Sequence, residues 1–340
     1  MTVNNEVIKK IKLTPLLDTL QLIDIPDNLY FGDQYSKNYI SNSRLGLLKT
    51  KGVQVFFEGL SSSFNSSFEF GSNLHCLYLQ PESFELIDSV YKPTAKAGIV
   101  ADYLYNSDGI FPTDDEIKIA SIKCDYYKDK LTTNRLTEFR NKAENYWRDR
   151  FLFEKDNPKS EKSRIYTDEK SVNLLKSCLN SINNNLDFTN LIHPTGIIDT
   201  PYSSNEQTIL LDLKVEIENF EDVIHLKAKL DNFTIDKENN TITVNDLKTT
   251  SRPANMFDPM YYSYNREIAF YSFLLKLCAK QFFGLENPKV KGNFLVVSTV
   301  PEYNSLIYPM TSKLFKDGWN EAIYLLKTAC YYISQGYELQ

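Results

Sequence analysis

The sequence predicts a mixed α/β protein in which a central β-sheet is flanked by helices. Its second half contains segments rich in β-branched and aliphatic residues, at 207–217, 224–230, 241–247 and 293–299. A strongly amphipathic helix at 264–277 separates the last two of them, which predicts an antiparallel meander followed by one crossover. Residues 91–187 show apolar residues at helical spacing instead, which predicts a mainly helical insertion.

Composition narrows the class of protein. The chain has 340 residues, of which 42% are hydrophobic and 24% charged, as in ordinary soluble globular proteins. No apolar run approaches the ~20 residues of a membrane span, and the first residues lack the apolar block of a signal peptide. The five cysteines are scattered without a C-x-x-C pair. We therefore expect a cytoplasmic protein without disulfides, zinc or an iron–sulfur cluster, and without membrane contact.

Two helices are predicted in the first quarter of the chain. Ser41 or Ser43 is placed to cap the first. The second begins at Gly71, ends at Pro81 and carries His75. The pattern alone leaves two interpretations of this histidine, an inert hydrogen-bonded residue of a core helix or a ligand.

Within the insertion, helices are predicted at 114–130, 133–153 and 168–183. A polar break at 157–162 is interpreted as a loop inside one domain, because the helical pattern resumes after it. A further helix at 310–334 closes the chain. We expect one domain over residues 1–340.

The stretch from 226 to 250 carries the chemistry. Asp231 is predicted to end one strand, and Asp246 and Lys248 lie two residues apart on the next. Because side chains alternate along a strand, Asp246 and Lys248 point the same way. Two carboxylates and a lysine would then converge, as a divalent-metal site for phosphodiester hydrolysis requires. The alternative is a set of solvated charges at strand ends.

A further acid is sought on the preceding strand. Val215 and Ile217 alternate with Glu216 and Glu218, so the two acids share a face and either could reach the metal. We take Glu216 as the additional candidate ligand. The alternative is again a solvated face of an exposed strand.

Five segments together resemble a known family. They contain a histidine within G-x-x-x-H, then Asp, then D-L-K-T, then a helix with E-x-x-x-Y, at residues 39–45, 70–82, 227–231, 246–250 and 264–271. In this order they resemble the PD-(D/E)XK nucleases, in particular the RecE-like and RecB-like exonucleases of phage and prophage recombination. The resemblance implies a restriction-endonuclease-like fold with its catalytic core at about 200–300.

The resemblance also implies roles for individual residues. The implied metal ligands are His75, Asp231, Asp246 and the backbone carbonyl of Leu247. Lys248 would serve the attacking water. Glu267 and Tyr271 would buttress the site or touch the DNA backbone, although relatives usually carry glutamine where this chain has Glu267.

The activity implied is a Mg²⁺-dependent exonuclease, with Mn²⁺ as a substitute, that degrades linear duplex DNA from a 5′ end in phage recombination and repair. Such enzymes leave a 3′ single-stranded tail for a partner annealing protein. They form rings, so an oligomer is expected. The net charge of −6 does not indicate nucleic-acid binding, but a local basic channel can lie on an acidic protein. The candidate phosphate contacts, alternatively ordinary solvated charges, are Lys227, Lys229, Arg252 and Arg266.

Two alternatives remain open at this point. One is another DNA nuclease of the same superfamily, such as a CRISPR-adaptation nuclease, a repair helicase–nuclease domain or an endonuclease. The other is a non-catalytic DNA-binding protein on the same fold.

Overall fold

The computed structural model describes residues 5–59, 66–108, 112–124, 126, 131–158, 160–193 and 202–340. The chain divides into two compact units. We call residues 1–60 with 182–340 the sheet unit, and residues 61–181 the helical unit. In chain order the described elements are α1 (Asn5–Lys10), β1 (Lys12–Ile23), α2 (Asp27–Tyr30), α3 (Asp33–Asn38), β2 (Tyr39–Ile40), α4 (Asn42–Lys51), α5 (Val53–Glu58), α6 (Ser66–Leu79), β3 (Phe84–Asp88), α7 (Lys96–Asp108), α8 (Asp114–Lys123), α9 (Thr133–Asp156), β4 (Ser163–Thr167), α10 (Glu169–Asn184), α11 (Leu186–Ile192), β5 (Tyr202–Ile217), β6 (Phe220–Asp236), β7 (Thr241–Thr250), a 3₁₀ turn (Ala254–Met256), α12 (Tyr264–Phe283), β8 (Lys289–Ser298), β9 (Ser305–Pro309) and α13 (Ser312–Ser334).

The sheet unit is built on a mixed sheet with the strand order β1-β5-β6-β7-β8-β9. Neighbouring strands are antiparallel except β7 and β8, which are parallel and joined by the crossover helix α12. Strand β2 adds a short parallel pairing to β6. The predicted mixed α/β fold, with a mixed central sheet flanked by helices, is confirmed.

Several strands are longer than the sequence pattern predicts. Strand β6 runs to Asp236, so the prediction that Asp231 ends it is wrong. The pattern stops early because polar residues interrupt the alternation, yet these residues bond within the sheet. Asn232 donates to Asn205 Oδ1 at 2.7 Å, Asn245 donates to Asn232 Oδ1 at 2.7 Å, and Asn293 donates to Asn245 Oδ1 at 2.8 Å. This asparagine row crosses four adjacent strands and keeps them paired.

Helices α12 and α13 pack closely beside the sheet. A Cβ atom added at Gly318 on α13 would lie 2.3 Å from the backbone oxygen of Asn265, so only glycine fits at this crossing. Ile268, Phe270 and Leu274 of α12 are fully buried in the core of the sheet unit. This packing fixes the height of the first turns of α12 above strand β7.

The helical unit has a core of its own. Trp147 and Phe139 of α9 are buried among residues of α7 and α8, and a parallel pair of strands, β3 and β4, adds to this unit. The predicted helix 114–130 ends at Lys123, and residues 127–130 lie outside the described residues. The helix that carries His75 begins at Ser66 rather than at Gly71, since glycine lies within it without breaking it.

Among the described residues, no helix combines the length and the apolar character needed to cross a membrane. All five cysteines have free thiols.

Candidate functional site

The hairpin of β5 and β6 brings two acids together. A two-residue turn at Glu218 and Asn219 joins the strands, and from there the register pairs Gln207 with Leu230 and Asn205 with Asn232. Glu206 therefore lies opposite Asp231, and a carboxylate oxygen of one comes within 4.8 Å of the other. Glu206 has a positive φ of 54°, which is costly for a residue with a Cβ and is often found at functional sites.

The surroundings of the Glu206 carboxyl disfavour its ionised form. Burial and, next, the neighbouring Asp231 carboxylate raise its pKa to about 8. Lys229, with its Nζ 3.5 Å from Glu206 Oε2, opposes this rise but is shared with Asp27. Lys229 therefore does not outweigh the effects of burial and of the Asp231 carboxylate on Glu206.

Strands β6 and β7 separate beside Asp231. Their last paired residues are Asn232 and Asn245, after which the Asp231 carboxylate accepts the backbone N–H of Leu247 at 2.7 Å. The N–H and C=O groups of one residue in an extended strand point to the same edge, so the Leu247 carbonyl also faces this opening. The separation leaves backbone and carboxylate oxygens facing one space between the strands.

Asp246 and Lys248 lie on one face of β7, as their spacing predicts. The Lys248 ammonium lies 2.8 Å from Asp246 Oδ2 and 3.2 Å from Glu267 Oε2 on α12. Tyr271, one turn further along α12, donates to Glu267 Oε1 at 3.1 Å. The side chains form one continuous polar chain from strand to helix.

The charges in this chain perturb one another. Burial raises the pKa of Asp246 well above its ordinary value, and Glu267 and Asp231 add to the rise against the opposite effect of Lys248. Burial lowers the pKa of Lys248, but the carboxylates of Asp246, Glu267 and Asp231 outweigh it and raise the pKa. Burial is the largest cause of the Asp246 shift, whereas the three carboxyls around the single ammonium cause the Lys248 shift.

These residues fit a hard divalent cation. Glu206, Asp231 and Asp246 offer carboxylate oxygens and Leu247 a carbonyl oxygen, which are the donors that Mg²⁺ prefers. Asp246 is 2% exposed, and its Oδ2 has no hydrogen-bond donor among the described residues, because Lys248 approaches it outside hydrogen-bonding geometry. A cation between Glu206 and Asp231 would compensate that pair. Among the described residues, Asp246 is not in the group whose ligand atoms all lie within 4.8 Å of one another.

Glu216 requires a correction. It lies ten residues along β5 from Glu206, opposite Glu221, which is roughly 33 Å at the rise of an extended strand. Its half-exposed carboxylate pairs with Lys214 at 3.6 Å. Glu206, and not Glu216, lies beside Asp231. Counting residues from the Glu218–Asn219 turn would have identified it, because equal steps along both strands lead from the turn to Glu206 and Asp231.

Three of the four predicted phosphate contacts are engaged by other groups of the protein. Lys227 is buried, donates to the Tyr30 carbonyl at 2.7 Å and has a pKa lowered to about 8 by burial. Lys229 pairs with Asp27 and Glu206. Arg266 is buried, bonds Asn42 Oδ1 at 2.8 Å and lies 2.6 Å from Glu321 Oε1. Only Arg252, of the four, is exposed.

His75 lies on α6, in the helical unit. Its part as a metal ligand stays a prediction from the sequence.

Comparisons with known proteins give little further information. No protein-family model matches the chain, and no curated protein matches it. Among solved structures, one that is similar is the crystal structure of a protein described as "Putative exonuclease" from Eubacterium rectale, at 13% sequence identity and a TM-score of 0.39, covering 91% of this chain and 86% of that one.

Proposed function

We propose that this protein is a divalent-metal-dependent nuclease that hydrolyses phosphodiester bonds of DNA. The proposal is supported by one observation above all, the convergence of Asp231, Asp246 and Lys248 at the point where β6 and β7 separate. The resemblance of the sequence to the PD-(D/E)XK nucleases agrees with this arrangement, because the same residues carry it.

The residues of the site would divide the work as follows. Glu206, Asp231, Asp246 and the Leu247 carbonyl would hold Mg²⁺, which when bound lowers the pKa of a coordinated water and polarises the phosphate. Lys248 stays protonated among its acids, so it acts by stabilising the negative charge that develops on the phosphate rather than by accepting a proton. Glu267 fixes the Lys248 ammonium, and Tyr271 fixes Glu267.

The finer assignment follows the sequence resemblance. We propose exonuclease action on linear duplex DNA, from the 5′ end, in phage recombination or repair, with an annealing protein as partner and a homo-oligomer as the working form. By the same resemblance, His75 would add a ligand. A neutral imidazole is needed for that role, so protonation of His75 would weaken metal binding.

An end-labelled linear duplex, incubated with the purified protein and Mg²⁺ or Mn²⁺, tests the activity directly. Labels at the 5′ and the 3′ end give the polarity, and a covalently closed circle of the same sequence reports endonuclease action. The expected result is loss of the linear substrate only. If neither metal supports cleavage of any of these substrates, the proposal is wrong.

Variants separate the roles of the residues. Lys248→Ala and Asp246→Ala should each reduce the rate of hydrolysis by about 100-fold or more. Circular dichroism should show that both variants stay folded. Glu216→Gln is the matched control, an acid on the same sheet whose loss should leave the rate unchanged. His75→Ala should reduce the rate and raise the Mg²⁺ concentration needed for half-maximal activity. An unchanged metal requirement would remove His75 from the ligand set.

A further inference from the structure

An exposed aromatic surface lies between the 3₁₀ turn and α12. We call residues 256–262 the tyrosine loop. Tyr261 is 62% exposed and Tyr262 is 66% exposed, and Met256 and Met260 are exposed beside them. A cluster of large apolar side chains on a surface more often indicates a binding site than an ordinary solvated loop.

The tyrosine loop is held rigidly from beneath. The Phe257 ring packs into the core, 5.3 Å from the ring of Phe294 and 5.5 Å from that of Tyr308. The backbone N–H of Met260 donates to Asp258 Oδ1 at 2.8 Å. The exposed rings are therefore presented on a fixed base, which lowers the entropy cost of binding a ligand.

A continuous line of aromatic rings joins this surface to the candidate site. The Lys248 ammonium lies 5.1 Å from the centre of the Tyr264 ring. Tyr264 and Tyr262 have ring centres 5.6 Å apart, and Tyr262 and Tyr261 have ring centres 4.4 Å apart. The exposed rings are thus the direct continuation of the site that would bind the scissile phosphate.

The charge beside the rings suits a nucleic acid strand. The Tyr261 hydroxyl raises the pKa of Tyr262, and the positive charge of Arg252 opposes this rise. Arg252 is exposed, and an arginine next to stacked aromatic rings can hold a phosphate between two bases. The one acid of the loop, Asp258, is engaged by the backbone of Met260.

We propose that Tyr261 and Tyr262 form a stacking platform for unpaired bases of the DNA strand whose phosphate lies at Lys248. This inference rests on the proposed nuclease function and specifies its substrate. A base in a duplex has both faces covered by its neighbours, whereas a base at a frayed or single-stranded end offers a face to a tyrosine ring. The enzyme would then prefer DNA ends that carry unpaired nucleotides over blunt ends.

Binding measured without hydrolysis tests the platform. The full-length protein is titrated in EDTA, by fluorescence anisotropy, against a labelled hairpin duplex with a short unpaired tail, in 5′ and 3′ versions. A second set carries abasic residues in the tail, which keeps the phosphates and removes the bases. Denaturing gels confirm that the DNA stays intact. The wild-type protein should bind at least one tail with bases about fivefold or more tightly than its abasic form, since stacking is worth roughly 1–3 kcal/mol per base.

The double variant Tyr261→Ala/Tyr262→Ala should lose this difference and bind the abasic tail as before. Tyr261→Phe/Tyr262→Phe keeps the rings and should restore it. Tyr324→Ala, which removes a 41% exposed tyrosine from α13, should leave it unchanged.

The platform is overturned if the wild-type protein binds the tail with bases and the abasic tail equally well. It is also overturned if the alanine variant loses the same affinity for the tail with bases and for the abasic tail. A change in oligomeric state without a base-dependent loss also overturns it, because the rings would then face protein. If the platform behaves as expected but Mg²⁺ supports no cleavage, the nuclease proposal fails and the stacking site stands.

Discussion

Replacing Glu206 by glutamine should change how the stability of the protein depends on pH. Burial and the Asp231 carboxylate raise the pKa of Glu206 from 4.5 to about 8. The folded protein therefore holds a proton that the unfolded chain has lost, and stability falls as pH rises between these two values. Glutamine mimics the protonated form at every pH, so the variant lacks this part of the fall.

The size of the effect follows from the shift. Linkage gives at most about 1.4 kcal/mol per pH unit, which sums to about 3 kcal/mol between pH 6 and pH 9. Water entering the space between the separated strands would reduce this to about 1–2 kcal/mol. Relative to the wild-type protein, Glu206→Gln should therefore gain about 1–2 kcal/mol in free energy of unfolding over that range.

Urea unfolding in EDTA, followed by circular dichroism at several pH values, measures this gain. Glu216→Gln is the matched control, because its half-exposed carboxylate lies outside the acid pair and its curve should run parallel to the wild type. Added Mg²⁺ should stabilise the wild-type protein more at pH 8 than at pH 6, since binding displaces the Glu206 proton. Parallel curves for Glu206→Gln and the wild type would refute the reasoning.

Four further substitutions test the fold and the placement of charges. Arg266→Met should lower the free energy of unfolding by about 2–4 kcal/mol, because it leaves buried partners unpaired. Arg252→Ala should change the free energy of unfolding by less than about 0.5 kcal/mol. It should also reduce the salt dependence of DNA binding by about one phosphate contact. Equal effects on unfolding would contradict the burial of Arg266. Gly318→Ala should cost about 1–3 kcal/mol, since its Cβ would meet the Asn265 backbone, and the change in urea midpoint measures it. Asn245→Leu should destabilise by about 1–3 kcal/mol for each amide left unsatisfied, measured in the same way.

The sequence predicts the central strands because their apolar residues alternate or run together, and it predicts the crossover because α12 is strongly amphipathic. It does not distinguish a strand from a short helix at residues 18–25, within the segment of β1, which contains Pro15 and exposes much of its length at the edge of the sheet. Edge strands contribute one face to the core and have no neighbour on one side, so their pattern is weak. The exact ends of β6 were missed for a different reason, the buried asparagines.

The residues of the site also fall into those that local sequence predicts and those that depend on distant segments. Asp231, Asp246 and Lys248 follow from local spacing, since alternation along one strand sets which side chains share a face. The behaviour of Lys227 depends on α2, which places the Tyr30 ring centre 4.1 Å from the Lys227 ammonium. No local pattern specifies a contact between residues so distant in the chain. The burial of Arg266 by α4 and α13 is of the same kind.

The asparagine row and the acids of the site lie on opposite faces of the same strands, and both depend on the register of those strands. Each of the three acids on β5, β6 and β7 is adjacent in sequence to an asparagine of the row. The three pairs are Asn205–Glu206, Asp231–Asn232 and Asn245–Asp246. Neighbouring residues on a strand point to opposite faces, so a slip of one residue would exchange amide and carboxylate. The buried amides satisfy one another only in the observed register, which makes such a slip costly. The residues that fix the register therefore also fix which side chains reach the metal, and an Asn beside an acid on three successive strands is the sequence signal that leads to Glu206.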